Sequence, residues 1–369
     1  MSFTGEERVL IDGTLRRARA GASFETINPA TEEVLGVAAD CDLADLDDAI
    51  GAARRAFDES SWSTDVAFRV RCLRQLRDAF HAHAEEIRAM TVAETGSPLM
   101  LTYSAQLDDP VNGLGWVADL AEGYEWERDL GRAEPLGMPA HRWVRREPTG
   151  VVGAITPWNV PHQINLAKVG PALAAGNTVV LKPAPDTPWA ATILGRLVAE
   201  ETDIPAGVLN VVTSRDHAVG AAIATDPRVD QVSFTGSTAT GRSVMRNAAD
   251  TLKKVFLELG GKSAFVVLDD ADLKAATGVA AFTVCTHAGQ GCAITTRLVV
   301  PRAHYDEAVE MTARTLEKLP ASDPTDAGTV CGPLVSARQR ERVEGYIRLA
   351  VEEGGTIVDR KSTRLNSSH

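Results

Sequence analysis

After Gly150 the sequence alternates short apolar segments with longer amphipathic ones, and this alternation is its strongest constraint on the fold. The apolar segments cover residues 151–155, 177–181, 208–212 and 231–234. The amphipathic segments between them cover residues 163–175, 188–200 and 218–224. Buried strands that alternate with helices in this way build a doubly wound parallel sheet. The sequence therefore predicts an α/β protein with such a sheet in a domain over residues 149–260.

The residues before this domain are expected to form helices and then a hairpin. Apolar residues recur at three- and four-residue steps in 43–57, 66–81 and 84–94, which predicts three amphipathic helices. Two glycines and two prolines fall within 130–139, ahead of a strand-like segment at 141–146. This composition predicts a protruding β-hairpin. We therefore expect a helical part over residues 1–129 and a hairpin over residues 130–148.

The residues after 260 indicate a second, smaller α/β domain. We expect residues 254–258 to begin this second unit and residues 263–268 to form its first strand. Residues 335–353 have helical spacing and end at Gly354-Gly355, a common helix stop. A strand starts at 356–358, but residues 360–369 continue no pattern. The sequence thus predicts a second domain over residues 261–359 that is truncated, followed by a non-native or disordered tail at 360–369.

Composition argues against several classes of partner. The net charge of −12 disfavours nucleic acid and anionic membranes as partners. No apolar run approaches the roughly 20 residues that cross a bilayer, and the N-terminus lacks the features of a secretion signal. The five cysteines include no Cys-x-x-Cys pair, so reduced thiols in a cytoplasmic protein fit better than disulfides or a metal site.

The segment Gly289-Gln290-Gly291-Cys292 offers a candidate nucleophile. An arbitrary cysteine is more often a packed core residue. Here the flanking glycines leave the backbone free of bulk, which suits an accessible thiol that attacks a carbonyl carbon. Cys285 competes with it but lies in an apolar run, so we expect a structural role for Cys285.

Glu258 is the candidate general base. The simpler interpretation is an ordinary surface carboxylate at the end of a strand. Its neighbours Phe256, Leu257 and Leu259 are apolar, however, and Gly260-Gly261 follows. An apolar setting suits a carboxylate that takes a proton from a hydrolytic water.

Four segments resemble the aldehyde dehydrogenase superfamily of NAD(P)-dependent, hydrolytic enzymes, and they occur along this chain in the order that the family has. One of them is the pair formed by the Glu258 and Cys292 segments. The others are Ile155-Thr156-Pro157-Trp158-Asn159-Val160-Pro161 with 168–177, Leu181-Lys182-Pro183-Ala184-Pro185-Asp186, and Ser233-Phe234-Thr235-Gly236-Ser237-Thr238-Ala239-Thr240-Gly241. The resemblance implies a Rossmann-type NAD(P)-binding domain over residues 149–260, to which the helical part over residues 1–129 also belongs, and a truncated catalytic domain over residues 261–359. It also implies that the hairpin over residues 130–148 serves oligomerisation, with a homodimer or homotetramer as the full-length protein.

The resemblance also implies catalytic roles. Cys292 is the expected nucleophile, and Glu258 is the expected base that activates water. Asn159, otherwise a turn or capping residue, is expected to donate its side-chain amide to an oxyanion hole together with the backbone N–H of Cys292. Lys168 is expected near the active site, as a proton relay or for charge balance.

The expected cofactor is NAD, with NADP open. By resemblance Gly236, Ser237 and Gly241 hold the pyrophosphate at a helix N-terminus, although such a turn alone is usually just a helix cap. Lys182 is expected to bind the adenosine ribose. Many NAD-preferring members have a glutamate where Pro185 stands, and Asp186 is a possible substitute. The remaining expected contacts are Ile155, Thr156, Pro157, Trp158, Ala184, Leu259 and Gly260.

The implied reaction is oxidation of an aldehyde to a carboxylic acid through a cysteine thiohemiacetal and a thioester. The helix face of Val160, Gln163, Ile164 and Ala167 is expected to line a roomy pocket for apolar or aromatic aldehydes. One alternative is a CoA-acylating semialdehyde dehydrogenase, which needs no base for water, so Glu258 argues against it. Another is an inactive fragment that keeps the fold, since family members continue beyond this chain's end and we expect the chain as given to be poorly active.

Overall fold

The computed structural model describes residues 3–358, and the chain begins with four short strands in two hairpins. Strand β1 (Val9–Ile11) pairs antiparallel with β2 (Thr14–Arg16), and β3 (Ser23–Ile27) pairs antiparallel with β4 (Val34–Ala39). The sequence analysis does not predict these strands. Strands β1 and β2 have only three residues each, too few for an alternating pattern to stand out. All three residues of β1 are buried, so this segment belongs to the core.

Five helices follow. They are α1 (Leu43–Glu59), α2 (Val66–Ala82), α3 (Ala84–Thr95), α4 (Leu99–Thr102) and α5 (Asp108–Glu122). The first three confirm the helices predicted from apolar spacing, each to within two residues.

Local sequence sets the ends of these helices. The Asp42 side chain accepts hydrogen bonds from the backbone N–H groups of Ala44 and Asp45, and the Asp45 side chain accepts one from the Asp42 N–H. This capping box satisfies donors that the first turn of α1 leaves free. Helix α3 ends at Gly96, whose φ of 66° lies in the left-handed region that glycine adopts without strain.

The predicted hairpin is present, although its first strand begins earlier than expected. Strand β5 (Glu127–Ala133) pairs antiparallel with β6 (Ala140–Arg145). Apolar side chains project from it into solvent, with Leu136 98%, Met138 65% and Trp143 53% exposed. The hairpin therefore protrudes with an apolar surface that nothing in the chain covers among the described residues.

The alternation after Gly150 folds as predicted. The elements are β7 (Val151–Ile155), α6 (Pro161–Ala174), β8 (Thr178–Lys182), α7 (Trp189–Glu201), β9 (Leu209–Val211), α8 (His217–Thr225), β10 (Gln231–Gly236), α9 (Thr238–Ala248) and β11 (Lys254–Leu259). The strand order is β11-β10-β7-β8-β9, and every neighbouring pair is parallel. The doubly wound parallel sheet is thus confirmed.

Strand β11 corrects one prediction. Residues 254–258 do not begin a second unit, because β11 is the edge strand of the first sheet and pairs with β10. Along it, exposed and half-buried residues alternate. An edge strand that packs on one face only gives this alternation. In the sequence, the alternating segment is easily mistaken for the first strand of a new domain.

The two faces of the sheet pack against different helices. Val179 and Leu181 belong to a core with residues of α2, α5 and α6, whereas Val180 and Val232 belong to a second core with residues of α1, α8 and α9. The chain runs outward from β7 to β8 and β9, and then returns to β10 on the other side of β7. The carboxyl ends of β7 and β10 therefore form a topological switch point, where sheets of this kind bind ligands.

The remaining elements form a smaller unit. They are β12 (Ser263–Val266), α10 (Leu273–Cys285), β13 (Thr295–Val299), α11 (Tyr305–Leu316) and α12 (Ala337–Glu352), with β12 parallel to β13. The predicted helix at 335–353 is confirmed. The predicted strand at 356–358 is wrong, since these residues have no regular secondary structure. The predicted tail at 360–369 lies outside the described residues.

No helix within residues 3–358 is both long and apolar enough to cross a bilayer. The same residues contain no group of three or more His, Cys, Asp or Glu side chains placed to hold a metal ion.

Candidate active site

The carboxyl ends of three parallel strands meet beside the candidate catalytic residues. Ile155 at the end of β7 lies opposite Phe234 of β10, and Thr235 of β10 lies opposite Glu258 of β11. Asn159 follows β7 in the loop before α6. The fold thus brings the Asn159 and Glu258 segments, about a hundred residues apart in sequence, to one edge of the sheet.

Glu258 does not have the apolar enclosure expected from its neighbours. It is exposed, and Phe256 on the same face of β11 is 53% exposed. The alternation of the edge strand turns both side chains outward. The expectation from sequence is therefore wrong about burial, and Glu258 instead has direct access to water.

Lys168 of α6 lies beneath this edge of the sheet. Its side chain is buried, and Nζ donates a hydrogen bond to Ser233 Oγ of β10 at 2.8 Å. Nζ also lies 5.7 Å from the centre of the Phe256 ring. Burial lowers the pKa of Lys168 to about 8, and the negative charge of Glu258 opposes that shift. Lys168 and Glu258 therefore act on each other electrostatically.

The nucleophile loop, residues 286–292, follows α10 in an unusual conformation. His287, Ala288 and Gly289 have φ values of 51°, 54° and 72°, so three successive residues are left-handed. This conformation is strained for the two residues that carry a Cβ. The loop leaves Cys292 exposed.

The Gln290 side chain braces this loop. Its Nε2 donates to His287 O at 3.1 Å and to Pro333 O at 3.3 Å. Its Oε1 accepts from the backbone N–H of Val335 at 3.0 Å. These bonds tie the loop to the segment that precedes α12.

Asn159 is bonded to the same loop. Its side-chain Nδ2 donates to Gln290 O at 2.8 Å, and its own backbone O accepts from Gln106 Nε2 at 2.8 Å. An amide nitrogen carries two N–H groups, so one remains for another acceptor. The Asn159 amide therefore lies next to the Cys292 segment, as the oxyanion-hole hypothesis requires.

Cys292 differs from the other four cysteines in its surroundings. Burial raises the pKa of the Cys72 and Cys285 thiols to about 11, and it also raises the pKa of Cys41 and Cys331. Only the thiolate form is a strong nucleophile. Cys292 is the only one of the five thiols that is exposed, since Cys285 and Cys331 are half-buried and Cys41 and Cys72 are buried.

The turn before α9 has the features of a phosphate site. Ser237 is the N-cap of α9, and its side chain accepts from the Thr240 N–H at 3.2 Å. A Cβ on Gly236 would lie 2.6 Å from Phe234 Cζ, and one on Gly241 would lie 2.7 Å from Leu259 Cδ2. Both positions therefore favour glycine. The residues fit a pyrophosphate, since the N-terminus of a helix attracts anions.

The end of β8 fits a second part of a dinucleotide. Lys182 is buried, and its Nζ donates to the carbonyls of Pro183 and Ser214, both at 3.1 Å, which leaves one N–H unused. Burial lowers the Lys182 pKa to about 8. The buried Oγ1 of Thr156 has no partner among the described residues. Asp186, the possible substitute for a ribose-binding glutamate, instead forms an ion pair with Arg338 at 3.2 Å.

The expected substrate-facing side of α6 is open. Gln163 and Ala167 are exposed, and Val160 and Ile164 are half-buried. A cavity of about 1460 Å³ lies behind the nucleophile loop, but neither Cys292 nor Glu258 lines it. We therefore place the site at the exposed carboxyl edge of the sheet and not in this cavity.

Sequence reasoning missed three residues at this site. They are Gln106, Gln290 and Ser233, which hold the backbone of Asn159, the nucleophile loop and Lys168. Gln290 lies in the segment of the candidate nucleophile, and Ser233 begins the segment expected to bind pyrophosphate. The position of Gln290 between two glycines is a usable signal. Gln106 lies in no motif, and only the tertiary structure reveals it.

Three comparisons with known proteins identify the family. The model of the aldehyde dehydrogenase family matches residues 16–367. The mitochondrial aldehyde dehydrogenase of Leishmania tarentolae is 40% identical over 354 residues, which are 96% of this chain and 70% of that protein. The NADP/NAD-dependent aldehyde dehydrogenase PuuC of Escherichia coli is 34% identical, over 99% of this chain and 73% of that protein. The NAD+ complex of an aldehyde dehydrogenase from Bacillus cereus superimposes with a TM-score of 0.90 at 35% identity, covering 96% of this chain and 71% of that one.

Proposed function

The chain belongs to the aldehyde dehydrogenase family and oxidises an aldehyde to a carboxylic acid with NAD(P)+ as the hydride acceptor, and we propose that Cys292, Glu258, Asn159 and Lys168 carry out this reaction. The observation that supports the assignment most directly is the hydrogen bond from Asn159 Nδ2 to Gln290 O. It places an amide donor beside the loop that carries the exposed thiol.

Cys292 attacks the aldehyde carbon through its thiolate. The carbonyl oxygen becomes an oxyanion, which accepts hydrogen bonds from the free N–H of the Asn159 amide and from the backbone N–H of Cys292. Loss of one such donor costs on the order of 3 kcal/mol of transition-state stabilisation. NAD(P)+, when bound, supplies the acceptor for the hydride that leaves the substrate carbon.

Glu258 then removes a proton from the water that attacks the thioester on Cys292. Its exposure gives water a direct path to the carboxylate. Lys168, whose pKa burial lowers to about 8, is positioned to balance the charge of Glu258 or to pass its proton onward. The acid product leaves, and the thiol is regenerated.

The cofactor site we propose runs along the carboxyl ends of β7, β8 and β10. Gly236, Ser237 and Gly241 hold the pyrophosphate, and Lys182 holds the adenosine ribose through its remaining N–H. The other proposed contacts are Ile155, Thr156, Pro157, Trp158, Ala184, Pro185, Leu259 and Gly260. Pro185 is uncharged, and the carboxylate of Asp186 is paired with Arg338. No free carboxylate at these two positions would repel the 2′-phosphate of NADP, which supports use of both NAD and NADP.

We test the assignment of Glu258 with Glu258→Gln, which keeps the shape of the side chain and removes the base. Acylation of Cys292 should persist while its hydrolysis fails. We therefore expect one equivalent of reduced cofactor per site in a rapid burst, followed by a steady rate lowered by about 10²- to 10⁴-fold. Mass spectrometry of the peptide that contains Cys292 should show the acyl group.

Glu317→Gln is the matched control, because Glu317 is also exposed but lies at the end of α11. It should leave the steady rate unchanged. Undiminished release of acid by Glu258→Gln would remove Glu258 from its role. The CoA-acylating alternative predicts acyl-CoA formation and little free acid unless CoA is added, so acid release by the unmodified protein without CoA excludes it.

Three features of the chain support our proposals about its substrate, its self-association and its location. A small aldehyde with an apolar or aromatic group suits the face of Val160, Ile164 and Ala167 on α6. The hairpin of β5 and β6 exposes Leu136, Met138 and Trp143, which supports self-association as a dimer or tetramer. Five free thiols support a reducing, cytoplasmic location.

A further inference from the structure

Three amide side chains connect the helical N-terminal part of the chain to the nucleophile loop. Gln106, between α4 and α5, donates through Nε2 to the backbone O of Asn159 at 2.8 Å. Asn159 donates through Nδ2 to the backbone O of Gln290, also at 2.8 Å. Gln290 donates to the backbone O of His287 and of Pro333. The bonds run in series, so a shift at one amide changes the position of the next.

The bond to Gln290 fixes how the Asn159 amide is oriented. An asparagine side chain has two N–H groups and one carbonyl, and rotation by a half-turn exchanges them. Because Gln290 O is an acceptor, it selects the orientation that presents Nδ2 to the nucleophile loop. The second N–H of Nδ2 then has a set direction for an oxyanion.

Gln106 fixes the backbone from which that side chain extends. It is fully buried, and its Oε1 has no hydrogen-bond partner among the described residues. Burying an unpaired amide oxygen is unfavourable, because the oxygen loses its hydrogen bonds to water. An apolar side chain at this position avoids that cost, so the Nε2 donor is the feature that favours glutamine here.

We propose that Gln106 is a positioning residue for acyl transfer, which holds the Asn159 backbone so that the side-chain amide meets the oxyanion formed on attack by Cys292. The proposal rests on the proposed function, specifically on Asn159 as an oxyanion donor. Gln106 touches neither substrate nor cofactor in this account, and its effect passes through Asn159.

The test uses two reactions of Cys292 that need no cofactor. With p-nitrophenyl acetate, the thiolate attacks the ester carbonyl, an oxyanion forms, and p-nitrophenolate leaves as the acetyl thioester is made. With iodoacetamide, the thiolate displaces iodide at a saturated carbon, and no oxyanion forms. A defect in the oxyanion donor slows only the first reaction, whereas a defect in the thiol slows both.

Gln106→Met keeps the length of the side chain and removes the donor. We expect the rate of acylation by p-nitrophenyl acetate to fall by about 10-fold to 100-fold, part of the loss that follows removal of a whole oxyanion donor. The rate of alkylation by iodoacetamide should stay within about twofold of the unmodified protein. Gln75→Met is the matched control, since Gln75 also joins two elements through hydrogen bonds to Asp203 but lies on α2. It should change neither rate.

Gln106→Glu gives a pH signature that a merely structural role does not produce. Burial favours the neutral carboxyl group, which can still donate to Asn159 O, whereas the ionised group repels that oxygen. We expect acylation by Gln106→Glu, divided by that of the unmodified protein, to fall as pH rises. The same ratio for Gln106→Met should be flat with pH.

The double variant with Asn159→Ala separates this proposal from the one it rests on. Asn159→Ala should lower acylation by about 10²- to 10³-fold, and adding Gln106→Met should lower it little further, because both changes remove one donor's action. Full acylation by Asn159→Ala would overturn the proposed function. A slow Asn159→Ala with a normal Gln106→Met, or with fully additive losses, would overturn the role of Gln106 alone.

Discussion

The sheet of β7–β11 and the smaller unit that carries Cys292 differ in how their parts are held. All five residues of β8 and all three of β9 are buried, and α7 contributes nine buried residues to the core. In the smaller unit β12 and β13 have no fully buried residue, and neither does α12. Packing therefore fixes the first region far more than the second.

The difference shows how each side supplies a catalytic group. Lys168 extends from a helix whose neighbours are buried, so close packing sets its position. Cys292 lies on a loop that is held by the hydrogen bonds of Gln290 and by three left-handed residues. Positioning by a few directional bonds leaves the thiol open to substrate, but it makes the site depend on single side chains.

The largest expected effect separates activity from stability with one cysteine in the smaller unit and one in the core that packs against the sheet. Cys292→Ala should lower aldehyde oxidation by about 10³-fold or more, because the nucleophile is removed, and should hardly change the free energy of unfolding, because the side chain is exposed. Cys72→Ala should do the reverse and cost about 1 kcal/mol of stability, since Cys72 is fully buried. The formation of reduced cofactor and urea unfolding check the pair. Equal activity in both variants would contradict the assignment of the nucleophile.

A second prediction compares a leucine on a strand of each region. Leu181→Ala on β8 should lower the free energy of unfolding by roughly 3 kcal/mol, because it opens a cavity in a closed core. Leu298→Ala on β13 should cost roughly 1 kcal/mol, because Leu298 is only half-buried and the site can relax. Urea unfolding monitored by circular dichroism measures both. Similar costs would show that packing does not distinguish the two regions.

The smallest expected effect concerns the charge of Lys168. Below pH 8 both the native and the unfolded states hold its proton, so the cost of the buried ammonium is present in full. Between pH 8 and 10.5 the native state has released the proton and the unfolded state keeps it, so stability rises with pH.

Lys168→Met removes this dependence. Relative to the unmodified protein, the variant should be more stable below pH 8 by up to about 2 kcal/mol, and the advantage should disappear as the pH approaches 10.5. Lys318→Met, at an exposed position, is the control. A stability difference between Lys168→Met and the unmodified protein that does not vary with pH would show that burial of the charge is not the cause.

The central sheet could be predicted correctly because its sequence signals are local. Buried strands such as β8 are continuous apolar runs, and helices such as α1 carry their own caps and apolar spacing. The first hairpins escaped prediction because strands as short as β1 have no readable period. The segment of Glu258 was misleading for a different reason. Its apolar residues alternate between exposed and half-buried along an edge strand, so apolar neighbours in sequence do not enclose the carboxylate.

The chain's own residues determined the fold class, the family and the list of candidate catalytic side chains, because motifs and periodicities are written in consecutive residues. Only the tertiary structure decided that Glu258 faces water, that Lys168 bonds to Ser233, and that Gln106 reaches the backbone of Asn159. Gln106 and Asn159 are 53 positions apart in the sequence, and Lys168 and Ser233 are 65 positions apart. A hydrogen bond depends on distance and direction in space, and no local pattern encodes which distant carbonyl a buried amide will meet.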